Sequence, residues 1–280
     1  MNLRRRGAEA LVTLALLVVI VFYLFPFLVM LSTSLKPAGQ VMSKTWEWIP
    51  RTFTLEQYAR VLTQYPFGRW VLNSVIITAG TVLVTLGVSL PAGYAFARIA
   101  FRGKGFLFGL CLLTIMVPFC AYVPQLYLQM FYFKLTNTFI ALMIPLCTSG
   151  VSLFLFRQFI AQIPLELEDA AQMDGCGRWG IFFRVILMLT QPAIVTALIF
   201  TAIKSWNSLL WPLIAASKDS VKPLPVGLAV NVFAVTTGIM HQPPYGVVMA
   251  ASFLSIILPV ALFMALHRYF VQGVATTGLK

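Results

Sequence analysis

Half of the acidic residues in this chain crowd into one short stretch. Glu166, Glu168, Asp169 and Asp174 are four of only eight carboxylates in 280 residues. Acids so grouped could hold a metal, run acid–base chemistry, or pair with cations on another protein. A metal site or a membrane-embedded enzyme would want histidine nearby, and His241 and His267 lie far away. The cysteines, Cys111, Cys120, Cys147 and Cys176, form no C-x-x-C pair, so neither a metal site nor a disulfide framework is expected. Partner recognition and an ordinary amphipathic turn in a connecting loop remain equally open for the cluster.

The surrounding residues say how the acids are carried. Pro164 suits the first position of a helix, and Glu166, Glu168 and Asp169 follow in the first turns, where the helix dipole favours negative charge. Gly175 suits the position just past a helix end. The spacing predicts an isolated helix of about ten residues, roughly 15 Å long. Leu167, Ala170, Ala171 and Asp174 fall on one face, small and slightly apolar with an acidic rim. So short a helix is unstable alone in water and must be docked. Its own spans and a groove on a partner are both open as docking sites.

A second polar patch, Lys204-Ser205-Trp206-Asn207, sits inside a long apolar run. A lysine within a membrane span is expensive and is a candidate for a substrate pathway. The plainer reading is that Lys204 snorkels toward the interface. Trp206 could stack on a sugar face or simply belong to the core, and Asn207 could bond across helices.

These residues are positioned by a chain built for lipid. It is 60% hydrophobic and only 10% charged, against about 25% charged in soluble domains. Apolar stretches at roughly 10–32, 70–97, 106–127, 138–156, 185–214 and 246–266 each have the length of a membrane-crossing helix. Prolines inside several of them, including Pro118, Pro145 and Pro192, predict kinks. The first stretch is too long for a signal-peptide core and lacks a clear cleavage site, so it reads as an uncleaved helix. The net charge of +12 comes from basic residues flanking spans, which suits orientation and anionic lipid rather than nucleic acid. Arg4, Arg5 and Arg6, with the Arg98-to-Lys104 cluster, place both termini in the cytoplasm. In the first outer loop, Thr54 and Gln57 have capping-box spacing ahead of Leu55, Tyr58, Val61 and Leu62, predicting a short amphipathic helix on the membrane surface. The second outer segment, Ser217 to Gly246, has an apolar middle too short to span. Ser89, Gly93 and Ala97 form a small-residue face for close helix packing.

The run Asp169-Ala170-Ala171-Gln172-Met173-Asp174-Gly175 resembles the EAA loop of membrane subunits of ATP-binding-cassette (ABC) importers. Phe183-Arg184-Val185-Ile186-Leu187, Pro192, Trp206-Asn207, Asn73-Ser74, Ala92 to Arg98 and Gln272-Gly273 fit the same family, so the resemblance covers nearly the whole chain. It is nearest to the smaller sugar-importer permeases of the maltose-transporter type. The resemblance implies an all-α membrane protein of about six transmembrane helices with the type I importer permease fold. It implies one permease domain over 1–280, with a coupling loop at about 157–184. Glu168, Asp169, Ala170, Ala171, Asp174 and Gly175 would then couple to a cytoplasmic ATPase dimer. A second homologous permease subunit and an extracytoplasmic solute-binding protein would complete the machine. The cargo would be a sugar, an oligosaccharide or a polyol derivative. Lys204 is not usual for the family, so a pathway past Lys204, Trp206 and Asn207 rests on that polar patch itself. No cofactor or metal is implied. Asp169 stands where the family usually has Glu, which shortens the reach. Met188 stands where proline is usual, which predicts a straighter start to the fifth span.

The chain has no G-x-x-x-x-G-K-[ST] phosphate loop, so it is not itself the ATPase. An ion-coupled secondary transporter is the alternative. That reading wants carboxylates within the spans, and every Asp and Glu lies outside the predicted ones.

Overall fold

A computed structural model describes residues 2–41, 47–233 and 244–277. Lys44, His241, Pro243 and Lys280 lie outside these residues, and Gln272 and Gly273 lie beyond the side chains described. The described residues are helices and connections. In chain order the α-helices are α1 (Asn2–Ser34), α2 (Ala38–Val41), α3 (Glu56–Gln64), α4 (Phe67–Arg98), α5 (Lys104–Met116), α6 (Phe119–Tyr132), α7 (Phe139–Cys147) and α8 (Gly150–Ala161). Then come α9 (Glu166–Met173), α10 (Arg178–Ile181), α11 (Leu187–Leu189), α12 (Gln191–Trp206), α13 (Leu210–Ala215), α14 (Leu224–Gly227) and α15 (Tyr245–Thr277). Two π-helical segments, Phe182–Ile186 and Leu228–Phe233, are interposed.

Three helices contain stretches long and apolar enough to cross a membrane unbroken: Leu11–Ser34, Phe67–Arg98 and Tyr245–Ala265. Three further crossings arise if each bent helix pair is one span, giving up to six. The α5/α6 pair turns by 100°. Its corner is Val117-Pro118, with Val117 extended at φ −80°, ψ 117°, because a residue before proline is pushed out of the helical region. The kink expected at Pro118 in the third apolar stretch is therefore present, as a sharp corner. The α7/α8 pair bends by 48°. Thr138 caps α7 by accepting from the Ala141 N–H at 3.2 Å, and Ser149 caps α8 by accepting from the Ser152 N–H at 3.1 Å.

The fifth span is corrected. It begins at Arg178 and bends by 74° at Thr190, so the expectation of a straighter start fails. Met188 removes one helix-breaking residue, but Pro192 still acts. Without an N–H it cannot donate back to the Met188 carbonyl.

By contacts the chain forms two compact units, Met1–Gly68 with Gly227–Leu258, and Arg69–Val226 with Pro259–Lys280. In the first, the segment after α1 is folded against α1 and α15. The Gln57 side chain is buried and donates to the Lys36 carbonyl at 3.2 Å. Gly246 packs so tightly on it that a Cβ there would lie 2.7 Å from Gln57 Cδ. The predicted capping box is thus not formed. The Glu56 N–H donates to Thr54 Oγ1 at 3.1 Å, while Gln57 serves tertiary packing instead. The predicted apolar face is also redistributed. Val61 is buried and Tyr58 bonds Ser34 at 2.7 Å, whereas Leu55 and Leu62 face outward.

The second unit holds both candidate sites. One core cluster joins Ile77, Leu142, Trp211 and Ala215, with Trp211 Nε1 donating to the Ala141 carbonyl at 2.9 Å. Another joins Leu90, Phe156, Ile160, Phe182, Ile186 and Ala197. The small-residue face of α4 does permit close approach here. A Cβ on Gly93 would lie 2.6 Å from Phe156 Cβ and 3.1 Å from the Arg157 nitrogen. Asn73 and Ser74 hold the segment before α14. Asn73 Nδ2 donates to the Lys222 carbonyl at 2.9 Å, and Ser74 Oγ accepts from the Leu224 N–H at 2.7 Å.

Candidate functional site: an acid-rimmed helix and a lysine-lined cavity

The predicted acidic helix is α9, eight residues long rather than ten. Pro164 lies one residue before its N-cap, Leu165, and the Leu165 carbonyl accepts from the Glu168 and Asp169 N–H groups at 2.9 and 3.0 Å. The far end closes as the glycine predicts. Gly175 has φ +83°, a left-handed conformation that costs other L-residues about 1–2 kcal/mol. Its N–H donates to the Gln172 carbonyl, and the next N–H, of Cys176, donates to the Ala171 carbonyl, both at 3.0 Å. This crossed pair is a Schellman closure, which satisfies carbonyls a helix end would otherwise orphan.

The helix is docked on one side and open on the other. Ala171 and Cys176 pack against the Phe156–Phe182 core. Glu168 turns inward, where its Oε1 meets Arg98 Nε at 2.5 Å and its Oε2 is 3.4 Å from the Tyr94 hydroxyl. The same guanidinium donates through its second nitrogen to the Ile163 carbonyl, just before α9. Both charged side chains are nearly covered, 11% and 12% exposed. Asp169, Ala170, Met173 and Asp174 face outward. Leu167 is 44% exposed and Met173 88%, and nearby Trp179 and Phe183 are also exposed. Trp179 and Phe183 stack with ring centroids 6.1 Å apart.

The six residues expected to couple to an ATPase are therefore divided in space. Glu168 and Ala171 face the body, Gly175 shapes the end, and Asp169, Ala170 and Asp174 form the free face. Arg98 and Tyr94 were not picked out as partners of this helix from sequence. Seventy residues separate Arg98 from Glu168, and nothing local to either one signals the pairing.

The second candidate site is less unified. Lys204, near the C-terminal end of α12, lines a cavity of about 420 Å³ with Ser149, Ser208 and Tyr122. It also lines one of about 320 Å³ with Ser149, Ser152 and Thr201. Trp206 is buried in the protein, 6% exposed. Asn207 caps α12, its N–H donating to the Ile203 carbonyl at 3.0 Å, and its side chain is exposed. Neither residue lines the two Lys204 cavities.

Comparison with known proteins assigns the class. Residues 89–276 match the family of binding-protein-dependent transport system inner membrane components. The match spans more than half of the chain, and the chain belongs to this family. It is 34% identical to the arabinooligosaccharides transport system permease protein AraQ of Halalkalibacterium halodurans, covering 91% of each chain. It is 31% identical to the lactose transport system permease protein LacG of Rhizobium radiobacter, covering 97% of each. A bacterial ABC transporter involved in import of the acidic polysaccharide alginate has a chain of the same fold, with TM-score 0.86 and 22% identity over 96% of this chain and 99% of that one. The protein is thus a multi-pass membrane permease of the ABC importer type.

Proposed function

We propose that this permease carries a saccharide or a related polyol derivative inward across a cell membrane, with α9 as the lever that receives the work of ATP hydrolysis. The observation that carries this reading is the divided surface of α9. One side is tied to the spans through Arg98 and Glu168, and the other presents Asp169, Ala170, Met173 and Asp174 outward. A transmitting element needs both properties, a rigid hold on what it moves and a free face for what pushes it.

The whole chain acts as one permease domain. Hydrolysis belongs to a dimer of separate ATPase subunits that receive the free face of α9. A second homologous permease subunit supplies the other half of the pathway, and an extracytoplasmic solute-binding protein delivers cargo. The Arg4–Arg6 triplet and the Arg98–Lys104 cluster put the termini and α9 on the cytoplasmic side. A carboxylate at Asp169 facing a cation on the ATPase fixes register more than it adds affinity. To switch inward-open and outward-open states fully, closure of the ATPases must bias them by about 5.5 kcal/mol, so a lever that melted under load would waste the stroke. The saccharide class follows the relatives, whose names specify arabinooligosaccharides and lactose.

The test is ATP hydrolysis by the reconstituted complex with its binding protein. A saccharide is expected to stimulate hydrolysis and to accumulate inside vesicles. Stimulation confined to amino acids or metal ions would contradict the reading.

A further inference from the structure

We propose that Lys204 recognises an anionic group on the cargo, so that the transported solute is an acidic saccharide derivative carrying a carboxylate or a phosphate ester. The inference rests on the carrier reading above and narrows its substrate class.

The argument begins with an ammonium that has no counter-charge. Among the described residues Lys204 makes no ion pair and no hydrogen bond. None of the chain's eight carboxylates lines either cavity that Lys204 borders. A lysine ammonium within a span does not face hydrocarbon without a large cost, and it normally points into a bundle or a water-filled path. A lysine that merely snorkels has no need of a cavity, yet Lys204 forms part of the wall of two.

The walls suit a saccharide and leave one charge over. Hydroxyl-bearing residues stand around Lys204: Ser149 in both cavities, Thr148, Ser208 and Tyr122 in the larger, Ser152 and Thr201 in the smaller. Hydroxyls both donate and accept, matching the hydroxyls of a sugar ring. The volumes, about 420 and 320 Å³, fall within the roughly 300–1,000 Å³ of small-molecule sites. A neutral sugar seated here would strip water from the ammonium and give no charge in return, which is costly. An acid on the cargo removes that cost, and its attraction grows in a site walled by apolar side chains such as Val151, Leu155 and Phe200. Lys204 is exposed to solvent in the permease alone, so a ligand seated on it displaces its water, and a ligand without an acid then leaves the ammonium unsatisfied.

The experiment uses the complete complex in proteoliposomes, with its ATPases, partner permease and binding protein. The probes are digalacturonate, glucose 6-phosphate and a panel of neutral disaccharides and oligosaccharides including lactose. The wild type should take up one of the two acidic probes at least tenfold faster than any neutral one, and which acid is taken distinguishes carboxylate from phosphate. Lys204→Gln should lower acidic uptake at least tenfold and narrow or abolish the gap to the neutral probes, because a neutral sugar no longer has to strip water from an ammonium, while Lys204→Arg should retain the acidic preference. Wild-type selectivity reads the proposal even if Lys204→Gln fails to assemble. Preference for a neutral saccharide overturns this inference and leaves the saccharide permease reading standing. Equal losses for acidic and neutral probes in Lys204→Gln also overturn it, as expected if Lys204 instead pairs with a carboxylate of the partner permease. Failure of every saccharide to be transported sinks the carrier reading itself.

Discussion

Arg98 Nε and Glu168 Oε1 lie 2.5 Å apart, and this contact joins the end of α4 to the first turn of α9. The pair is nearly covered and the arginine is further engaged by the Ile163 carbonyl. Removing one partner of so shielded a pair leaves an uncompensated charge, at a cost of about 3 kcal/mol. In Arg98→Ala the coupling helix should loosen from the spans. Uptake is expected to fall at least tenfold while ATPase subunits still bind, so that hydrolysis runs uncoupled from transport. The exchange Arg98→Glu with Glu168→Arg should recover part of the loss. A double-mutant cycle on uptake and on thermal unfolding of the purified complex measures the coupling, and a cycle that closes near zero would deny the tether.

The Schellman closure at Gly175 makes its own prediction. With φ at +83°, Gly175→Val should cost about 1–2 kcal/mol or more of local stability, whereas Gly175→Asn should be milder. No neighbouring atom lies within 4 Å of a Cβ built at this glycine, so backbone strain alone is tested. Hydrogen exchange of the α9 amides should rise in Gly175→Val. Unchanged protection would show that the helix end does not depend on the glycine.

Close packing of α4 on α8 is tested at Gly93. A Cβ there meets Phe156 Cβ at 2.6 Å and the Arg157 nitrogen at 3.1 Å, so backbone as well as side chain must move. Gly93→Leu should sharply reduce the amount of folded protein recovered from membranes. Gly87, also on α4, has nothing within 4 Å of its would-be Cβ, and Gly87→Ala should be recovered at the wild-type level. Equal recovery of both variants would contradict the packing.

Much of this architecture was legible in the sequence, and particular residues show why. Apolar runs near 20 residues long report lipid directly, so the three unbroken stretches emerge within a few residues of their predicted places, whereas the fifth, bent at Thr190, is displaced by about seven residues. Gly175 and the acids of the first turn of α9 are local signals, readable without knowing what lies nearby. The corners were harder. Pro118 and Pro192 announce a kink but not its size, which is set by how neighbouring helices meet the freed backbone groups. Gln57 was misread because its spacing from Thr54 fits a cap, yet burial against Gly246 and the Lys36 carbonyl outweighs one exposed hydrogen bond. Arg98 and Glu168 were each visible as charges, but a pairing between distant segments is a property of the fold. The cavities around Lys204 were invisible for the same reason, since α8, α12 and the α12–α13 turn all contribute walls.

The lever role rests most on the free face of α9, and Asp169 is an exposed acid on that face that opens the run resembling the family's loop. The decisive measurement is co-purification of the ATPase subunits with Asp169→Lys, alongside uptake in the same membranes. The charge is reversed at an exposed position that touches none of the core, so the permease itself should be recovered normally. ATPase recovered with the permease is expected to fall at least tenfold, and uptake with it. Retention of the ATPase at the wild-type level together with undiminished transport would contradict the lever role of this helix.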